Sequence, residues 1–252
     1  MEPLFSIITP VYNGQKFIEK TIQSVVGQTS KNFEYIIVDG KSTDQTMKII
    51  ENYKKKIDLI ISEDDSGMYE AIDKGIKRAK GKYILWLNSD DILVNADVIK
   101  KLSKFLINNL NINWIVGRNS FLKENNEKVK SFISYIYPRW VVKNGFAHSC
   151  GWGFIQQESV VFSRSIYYKV GGLDKQYKMA GDFYLWKKFA LVNNLLSCNL
   201  LVGAQRKWHG QMQGNLNFYY KEINKKKCQY VFFRYFRILL SILLFPIIYF
   251  RK

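Results

Sequence analysis

The chain has 252 residues, 47% of them hydrophobic and 23% charged, with 16 glycines and only 4 prolines. This composition suits one large folded domain, or one domain with a small appendage, and excludes a long low-complexity linker. The formal charge of +17 narrows the partners to nucleic acid, an anionic membrane or a phosphate-bearing substrate.

The first half alternates strand and helix. Leu4 to Thr9 is a short apolar run ending at Pro10, which predicts a strand. Phe17, Ile18, Thr21, Ile22, Val25 and Val26 then recur at helical spacing. Phe33 to Val38 predicts the second strand, after which Ser42, Thr43 or Asp44 can cap a helix burying Met47, Ile50 and Tyr53. Leu59 to Ile61 is the third strand. Met68, Ile72, Ile76 and Ala79 share one face of the next helix, and Gly81 suits its C-terminal stop. Tyr83 to Leu87 is the fourth strand, and Val98, Leu102, Phe105 and Leu106 mark another helix. From Asn108 to Ile155 the pattern loosens into an irregular or β-rich segment. Order returns at Val160 to Phe162, at Gly171-Gly172 and in a helix over Phe183 to Val192. Strands alternating with helices predict an α/β fold with a mainly parallel sheet and helices on both sides. In such sheets ligands bind outside the carboxyl ends of the strands.

The charge is not evenly spread. Gly203 to Lys252 carries ten Lys/Arg against the single acid Glu222. Within it, Lys225-Lys226-Lys227, Arg234 and Arg237 upstream and Arg251 and Lys252 downstream bracket Ile238 to Phe250, an apolar stretch too short to span a bilayer and broken by Pro246, with Tyr230, Phe232, Phe233, Tyr235 and Phe236 set among the upstream arginines. Residues 216–252 therefore read as a tail lying at an anionic membrane surface, rather than as a nucleic-acid site. The competing reading is a last helix packed on the chain's own core. Cys150, Cys198 and Cys228 are too scattered for a zinc site or a disulfide framework and read as lone buried thiols. With an amino-terminus that lacks the charge and cleavage pattern of a secretory leader, they point to a reducing, cytoplasmic setting.

Two strands run into acids, the second into Asp39-Gly40-Lys41-Ser42-Thr43-Asp44 and the fourth into Asn88-Ser89-Asp90-Asp91. A parallel sheet puts both on one edge, where converging carboxylates repel unless a cation lies between them. Oxygen ligands in a partly open site suit Mg²⁺ or Mn²⁺, with phosphate oxygens completing the shell. Taken singly, Asp39 equally suits a turn, Asp44 a helix cap, and Asp90 and Asp91 a solvated loop.

ITPVYNG, VDGKSTD, ISEDDSGMYEAIDKGI, YILWLNSDD and QESVVFSRSIYYKVGGLDKQYKMAGDFYLW together resemble, in order and spacing, family 2 glycosyltransferases over about Phe5 to Val192. The resemblance implies a GT-A nucleotide-binding sandwich that transfers a hexosyl or N-acetylhexosaminyl group with inversion from a nucleotide-diphosphate donor, a UDP-sugar, using a divalent metal. It implies a donor site of Pro10, Val11, Tyr12, Asp39, Asp65, Asn88 and Ser89, with Asp39 reading the base. Gly67, Tyr69 and Lys74 border that pocket, Lys74 either near a phosphate or on a solvated helix face. Asp90, with Asp91 beside it, matches the metal-binding end of the family's DxD motif, whose first acid is Asn88 here. His209 is a candidate further metal ligand, against its reading as an ordinary histidine. The inverting base, which takes the proton of the attacking hydroxyl, matches Asp182, with Glu158 in reserve; Asp182 also suits the cap of its helix. Gln157, Arg206 and Trp208 fall on the acceptor or diphosphate side, and Trp152 and Trp208 are equally sugar platforms or ordinary buried aromatics.

The implied division is 1–215 for the catalytic domain, with a nucleotide-sugar half at 1–107 and an acceptor half at 108–215, followed by the tail. By family analogy the acceptor is a polyprenyl-diphosphate-linked glycan on the way to a surface polysaccharide, met at the cytoplasmic face of the inner membrane by a peripheral enzyme. Two rivals remain. A polyanion or nucleic-acid binder rests on charge alone and is opposed by the strand-end acids. A sugar nucleotidyltransferase would need a glycine-rich basic loop where Pro10 to Gly14 stands. His148 and His209 pair with no Ser or Cys signature, and no Walker or dinucleotide glycine loop is present.

Overall fold

The computed structural model describes residues 2–109, 111–118, 120–125, 127–131, 136–147, 154–209, 216–223 and Leu239. Its first half follows the sequence pattern: β1 (Phe5–Val11), α1 (Ile18–Val26), β2 (Phe33–Asp39), α2 (Thr46–Glu51), β3 (Leu59–Ser62), α3 (Met68–Arg78), β4 (Tyr83–Trp86), β5 (Ile92–Leu93) and α4 (Val98–Ile107). The second half comprises β6 (Trp114–Arg118), β7 (Ser120–Lys123), β8 (Lys128–Ser131), α5 (Arg139–Lys143), β9 (Val160–Ser163), α6 (Arg164–Lys169), α7 (Gly181–Val192), β10 (Leu196–Leu201), β11 (Gly203–Lys207) and α8 (Leu216–Glu222).

The main sheet has seven strands in the order β10-β6-β9-β4-β1-β2-β3, and β5-β11-β7-β8 form a smaller one. β3, β2, β1 and β4 run parallel, as does β10 with β6, while β9 runs antiparallel to both β4 and β6. Alternate side chains of each strand enter opposite layers. Ile8, Ile36, Val38, Ile84 and Trp86 pack with α3, α5, α6 and α7. Ile7, Tyr35, Ile37 and Leu85 pack with α1, α2 and α4. Burial on both faces explains why these strands read as continuous apolar runs.

Two local expectations are corrected. β1 does not stop at Pro10. β4 ends beside Ile8, whose carbonyl accepts the Leu87 amide, and Pro10 has the same parity along the strand, so its missing donor falls on the side β4 has left. Gly81 does not cap α3, which ends at Arg78 with Ala79 as its cap. Instead it lies against the β1 backbone, where a Cβ would stand 2.5 Å from Phe5 C and Ser6 N. The Glu34 carboxylate ties this junction together by accepting from Ser6 Oγ and from the Lys80 and Gly81 amides.

The segment expected to be irregular or β-rich supplies three strands, β6, β7 and β8, and the short helix α5. The expected tail begins with α8, whose Tyr219, with Ile223 just after the helix, packs on Ala180 and Phe183 of the body. Apart from Leu239, the tail beyond residue 223, with Cys228, lies outside the described residues, as do His148, Cys150 and Trp152. Among the described residues no helix is long and apolar enough to cross a membrane. Cys198 is buried and unbridged, its thiol pushed up to about 12 by burial, as a packing cysteine should be.

Candidate active site

The sheet changes direction at β1. The chain leaves β1 for β2 on one side and returns from β3 to β4 on the other, opening the crevice where such folds bind ligands. Several segments meet there. The β1 and β2 loops are stitched by Asn13 N to Ser42 Oγ (2.8 Å), Gly14 N to Thr46 Oγ1 (2.8 Å), Thr43 N to Asn13 Oδ1 (2.8 Å) and Gln15 N to Asp44 Oδ2 (3.1 Å). Asp44 also takes the Thr46 amide, so it does cap the start of α2, although Gln45 holds the N-cap position. Pro10 and Val11 are buried in the strand, and Tyr12 projects beyond it with 64% of its surface exposed.

Asp39 is fully buried. Its carboxylate accepts the Ser42 amide at 3.2 Å and the Ser62 hydroxyl at 2.8 Å. It therefore shapes its turn, as the plainer reading had it, and as placed is covered by its own neighbours. Asp65 is the half-exposed carboxyl beside it. Burial raises the Asp65 pKa, with Asp39 among the smaller contributors.

The loop after β4 is bound from several sides. Thr21 of α1 shares its hydroxyl between the Ser89 and Asp91 carbonyls, at 2.8 and 2.7 Å. Asn88 accepts from Trp86 Nε1 (2.8 Å) and donates to Asp91 Oδ2 (3.4 Å). Asp91 is buried, and its other oxygen takes the Arg206 amide at 2.9 Å. Burial, and then the charges of Asp90 and Glu158, hold the Asp91 carboxyl well above the usual range. Asp91 thus serves the loop from inside, and Asp90 is the half-buried acid left at the surface.

Two further expectations shift here. Arg206 is 0% exposed, donates to the Asp90, Lys123 and Glu124 carbonyls and covers the Phe17 ring at 4.6 Å, so as placed it is a brace and not a phosphate contact. Trp208 donates its indole N–H to Asp90 Oδ2 at 2.9 Å and meets Phe17 edge-on, so it holds a carboxylate instead of presenting a sugar platform. His209 is exposed beside it.

Because β9 is antiparallel to β4, its amino end lies beside the carboxyl end of β4, which brings Gln157 and Glu158 into the crevice. Gln157 donates to the Trp86 carbonyl. Glu158 is 1% exposed, and its Oε1 has no hydrogen-bond partner among the described residues. Burial pushes its carboxyl up to about 8, opposed by its own amide and Lys207 and assisted by Asp90 and Asp182. Asp90, Asp91, Glu158 and Asp182 are thus electrostatic neighbours.

Asp182 lies in the first turn of α7; the N-cap is Ala180, so the reading of Asp182 as cap is replaced. The helix is anchored through Trp186 and Phe189, which pack on Trp114 and Phe162. Its amino end meets the start of α3, placing Asp182 on the same sheet edge. Gly181 allows the contact: a Cβ there would fall 2.8 Å from the Tyr69 ring. The Tyr69 hydroxyl bonds to the Asp182 carboxyl, which also accepts the Phe183 amide at 2.8 Å. Burial is the largest influence and lifts Asp182 to about 6 against those hydrogen bonds, with Glu222 adding to the rise.

Among the described residues no group of three or more His, Cys, Asp or Glu forms a ready metal cage. One surface carboxylate within a crowd of acids, one of whose buried oxygens lacks a partner, fits a hard cation that takes its other ligands from phosphate and water. Lys74, partly exposed, is bonded to the Asp64 carbonyl and paired with Glu63 and Glu70 at the edge of α3. Thr21, Tyr219 and Glu222 are participants that sequence reasoning missed. Thr21 read as one more position of a helix face, and Glu222 as the lone acid of a basic tail.

This architecture, a mainly parallel sheet with an acid-bearing loop at its switch point, is the GT-A fold. In an E. coli curated relative, UDP-Glc:alpha-D-GlcNAc-diphosphoundecaprenol beta-1,3-glucosyltransferase WfgD, 28% of residues are identical over 88% of this chain and 83% of that one. Among solved structures, residues 1–349 of S. aureus TarS in complex with UDP-GlcNAc match with a TM-score of 0.67 and 20% identity over 85% of this chain and 61% of that one. The mannosyltransferase PcManGT from Pyrobaculum calidifontis, in complex with GDP-Man and Mn²⁺, matches with a TM-score of 0.63 and 18% identity over 97% and 70%. The chain spans 43%, 60% and 60% of three other curated glycosyltransferases. The family model for glycosyl transferase family 2 matches residues 6–171, and the chain belongs to that family.

Proposed function

We propose that this glycosyltransferase moves a hexosyl or N-acetylhexosaminyl group from a UDP-sugar to a hydroxyl of a lipid-linked surface glycan, inverting the anomeric carbon. The observation that carries the proposal is Asp182, a half-buried carboxyl lifted to about 6 on the sheet edge that bears Asp90. A base of that pKa is largely ionised at neutral pH yet retains affinity for a proton. The donor class draws support from UDP-GlcNAc and GDP-Man in the structural neighbours and from the substrate in the E. coli relative's name.

In this reading Tyr12 and Asp65 flank the nucleobase, while Asp39 holds the turn after β2 that lies between their loops. Asn88 and Ser89 lie under the ribose and diphosphate. Asp90 would hold Mg²⁺ or Mn²⁺, which offsets the charge developing on the leaving diphosphate. Trp208 and Asp91, braced by Arg206, fix the Asp90 loop. Glu158, protonated at neutral pH, limits the negative charge of the cluster. Asp182 takes the proton of the acceptor hydroxyl as its oxygen bonds to the anomeric carbon and the bond from that carbon to the diphosphate breaks. The basic tail and the undecaprenol-linked substrate named for the E. coli relative support work at the cytoplasmic face of a membrane.

The test is a set of UDP-glucose, UDP-galactose, UDP-GlcNAc and GDP-mannose, followed by nucleoside-diphosphate release with Mn²⁺ and with EDTA. One donor is expected to turn over with Mn²⁺ alone. Asp182→Asn should lower turnover by roughly 10²–10⁴-fold with donor affinity kept. Lost donor binding with normal residual turnover would refute the role of Asp182, and metal-independent binding of every donor alike would refute the class.

A further inference from the structure

The amides of Lys178, Met179 and the N-cap Ala180, which lead into α7, find their acceptor far along the chain. Ala180, the N-cap of α7, has no side chain able to accept a hydrogen bond. The carboxylate of Glu222, the last residue of α8, takes three successive amides instead. Its Oε1 accepts from Lys178 N at 2.7 Å, and its Oε2 from Met179 N and Ala180 N, both at 2.9 Å. These are the residues that lead directly into Gly181 and Asp182.

Glu222 is itself held in place. Tyr219 and Ile223 are buried against Ala180 and Phe183, and Tyr184 of α7 donates its hydroxyl to the Glu222 carbonyl at 3.1 Å. A carboxylate gathering consecutive amides forms charge-assisted hydrogen bonds, the stronger class. It fixes the path of that backbone and sets a negative charge beside the carboxyl that follows.

We propose that Glu222 is a positioning residue for Asp182: from the C-terminal helix it fixes where the base stands and how firmly it holds a proton. The inference rests on Asp182 being the base. The other titratable groups that face Asp182 are Tyr69 from α3, Tyr219 from α8 and Glu158 from the turn before β9. Tyr69 and Tyr219 are held well above the ordinary tyrosine range by burial and stay neutral, while Glu158 is common to every variant compared below. Losing the Glu222 charge therefore has a defined sign. Without a nearby anion the Asp182 carboxylate is easier to form, so its proton leaves at lower pH.

The experiment uses the full chain, wild type against Glu222→Gln, which keeps the shape and removes the charge and one acceptor. The Asp182 carboxyl carbon is titrated by ¹³C NMR, and Mn²⁺-dependent UDP release from UDP-glucose is followed over pH. The expected result is a lower Asp182 titration midpoint, an acid limb moved to lower pH, and kcat lowered by about 10–100-fold through misplacement of the base, with KM for UDP-glucose unchanged. Glu222→Asp should recover part of the rate. An unmoved Asp182 midpoint, or a variant that loses melting temperature while kcat and the acid limb stay put, overturns the proposal. The titration needs no turnover, and Asp182→Asn tests the base separately, so failure of either reading is seen apart from the other.

Discussion

Asp182 and Glu158 are two carboxyls of one crevice with environments that drive them to different ends. With Asp182 lifted to about 6, a base must be ionised to act, so kcat/KM for the donor that turns over should fall as pH drops through about 6. A rate flat from pH 7 down to pH 4.5 would count against Asp182. Glu158 carries the opposite obligation. Its folded pKa of about 8 lies above the ordinary value of 4.5, so the folded chain binds the proton more tightly than the unfolded one. That contribution is complete below the unfolded pKa and is lost as pH rises through about 8. In EDTA, wild type should melt lower at pH 9 than at pH 6, and Glu158→Gln should lose most of that difference; an unchanged difference excludes the buried neutral acid. The position of Asp90 at a strand end was legible because its context is local, whereas the candidate role of Asp182 came from the family resemblance. Arg206 and Trp208 were expected on the acceptor or diphosphate side, since a cation and an indole late in the chain do not reveal that β11 folds them onto the Asp90 loop.

Elements were legible where their partners were close in sequence. β1 to β4 and α1 to α4 carry clear periods because each strand is covered on both faces by the helices beside it in the chain. The segment from 108 to 155 gave no such signal. Its strands are short, and their partners are remote: β6 joins β9 and β10, and β7 joins β11. The helix α7 was visible from its aromatics, which lock it onto Trp114 and Phe162. Its amino end is where a small change should matter most. Gly181→Ala would press a methyl into the Tyr69 ring, so a stability loss of ~1–3 kcal/mol is expected, with turnover falling further than donor affinity. Urea melts with donor titrations measure both, and an unaltered rate would mean that the Tyr69 contact does not hold the base.

For the whole molecule, charge and chain order are the informative features. The sequence shows where the positive charge gathers, but not that the segment carrying it begins with a helix docked on the body. If the remainder meets the membrane, the full chain should co-sediment with phosphatidylglycerol vesicles and be released by salt, while a chain ending at residue 223 should stay in solution. Equal binding by both would move the contact elsewhere. The expected division at residue 107 meets a different fact: β9 pairs with β4 and brings Glu158 to the edge that bears Asp90. During synthesis the ladder of β4 therefore stays open until residue 163 has emerged, long after the earlier strands have formed. An unpaired, fully apolar strand edge invites contact with other nascent chains. A product truncated between β4 and β9 is therefore expected to aggregate more readily than the full chain.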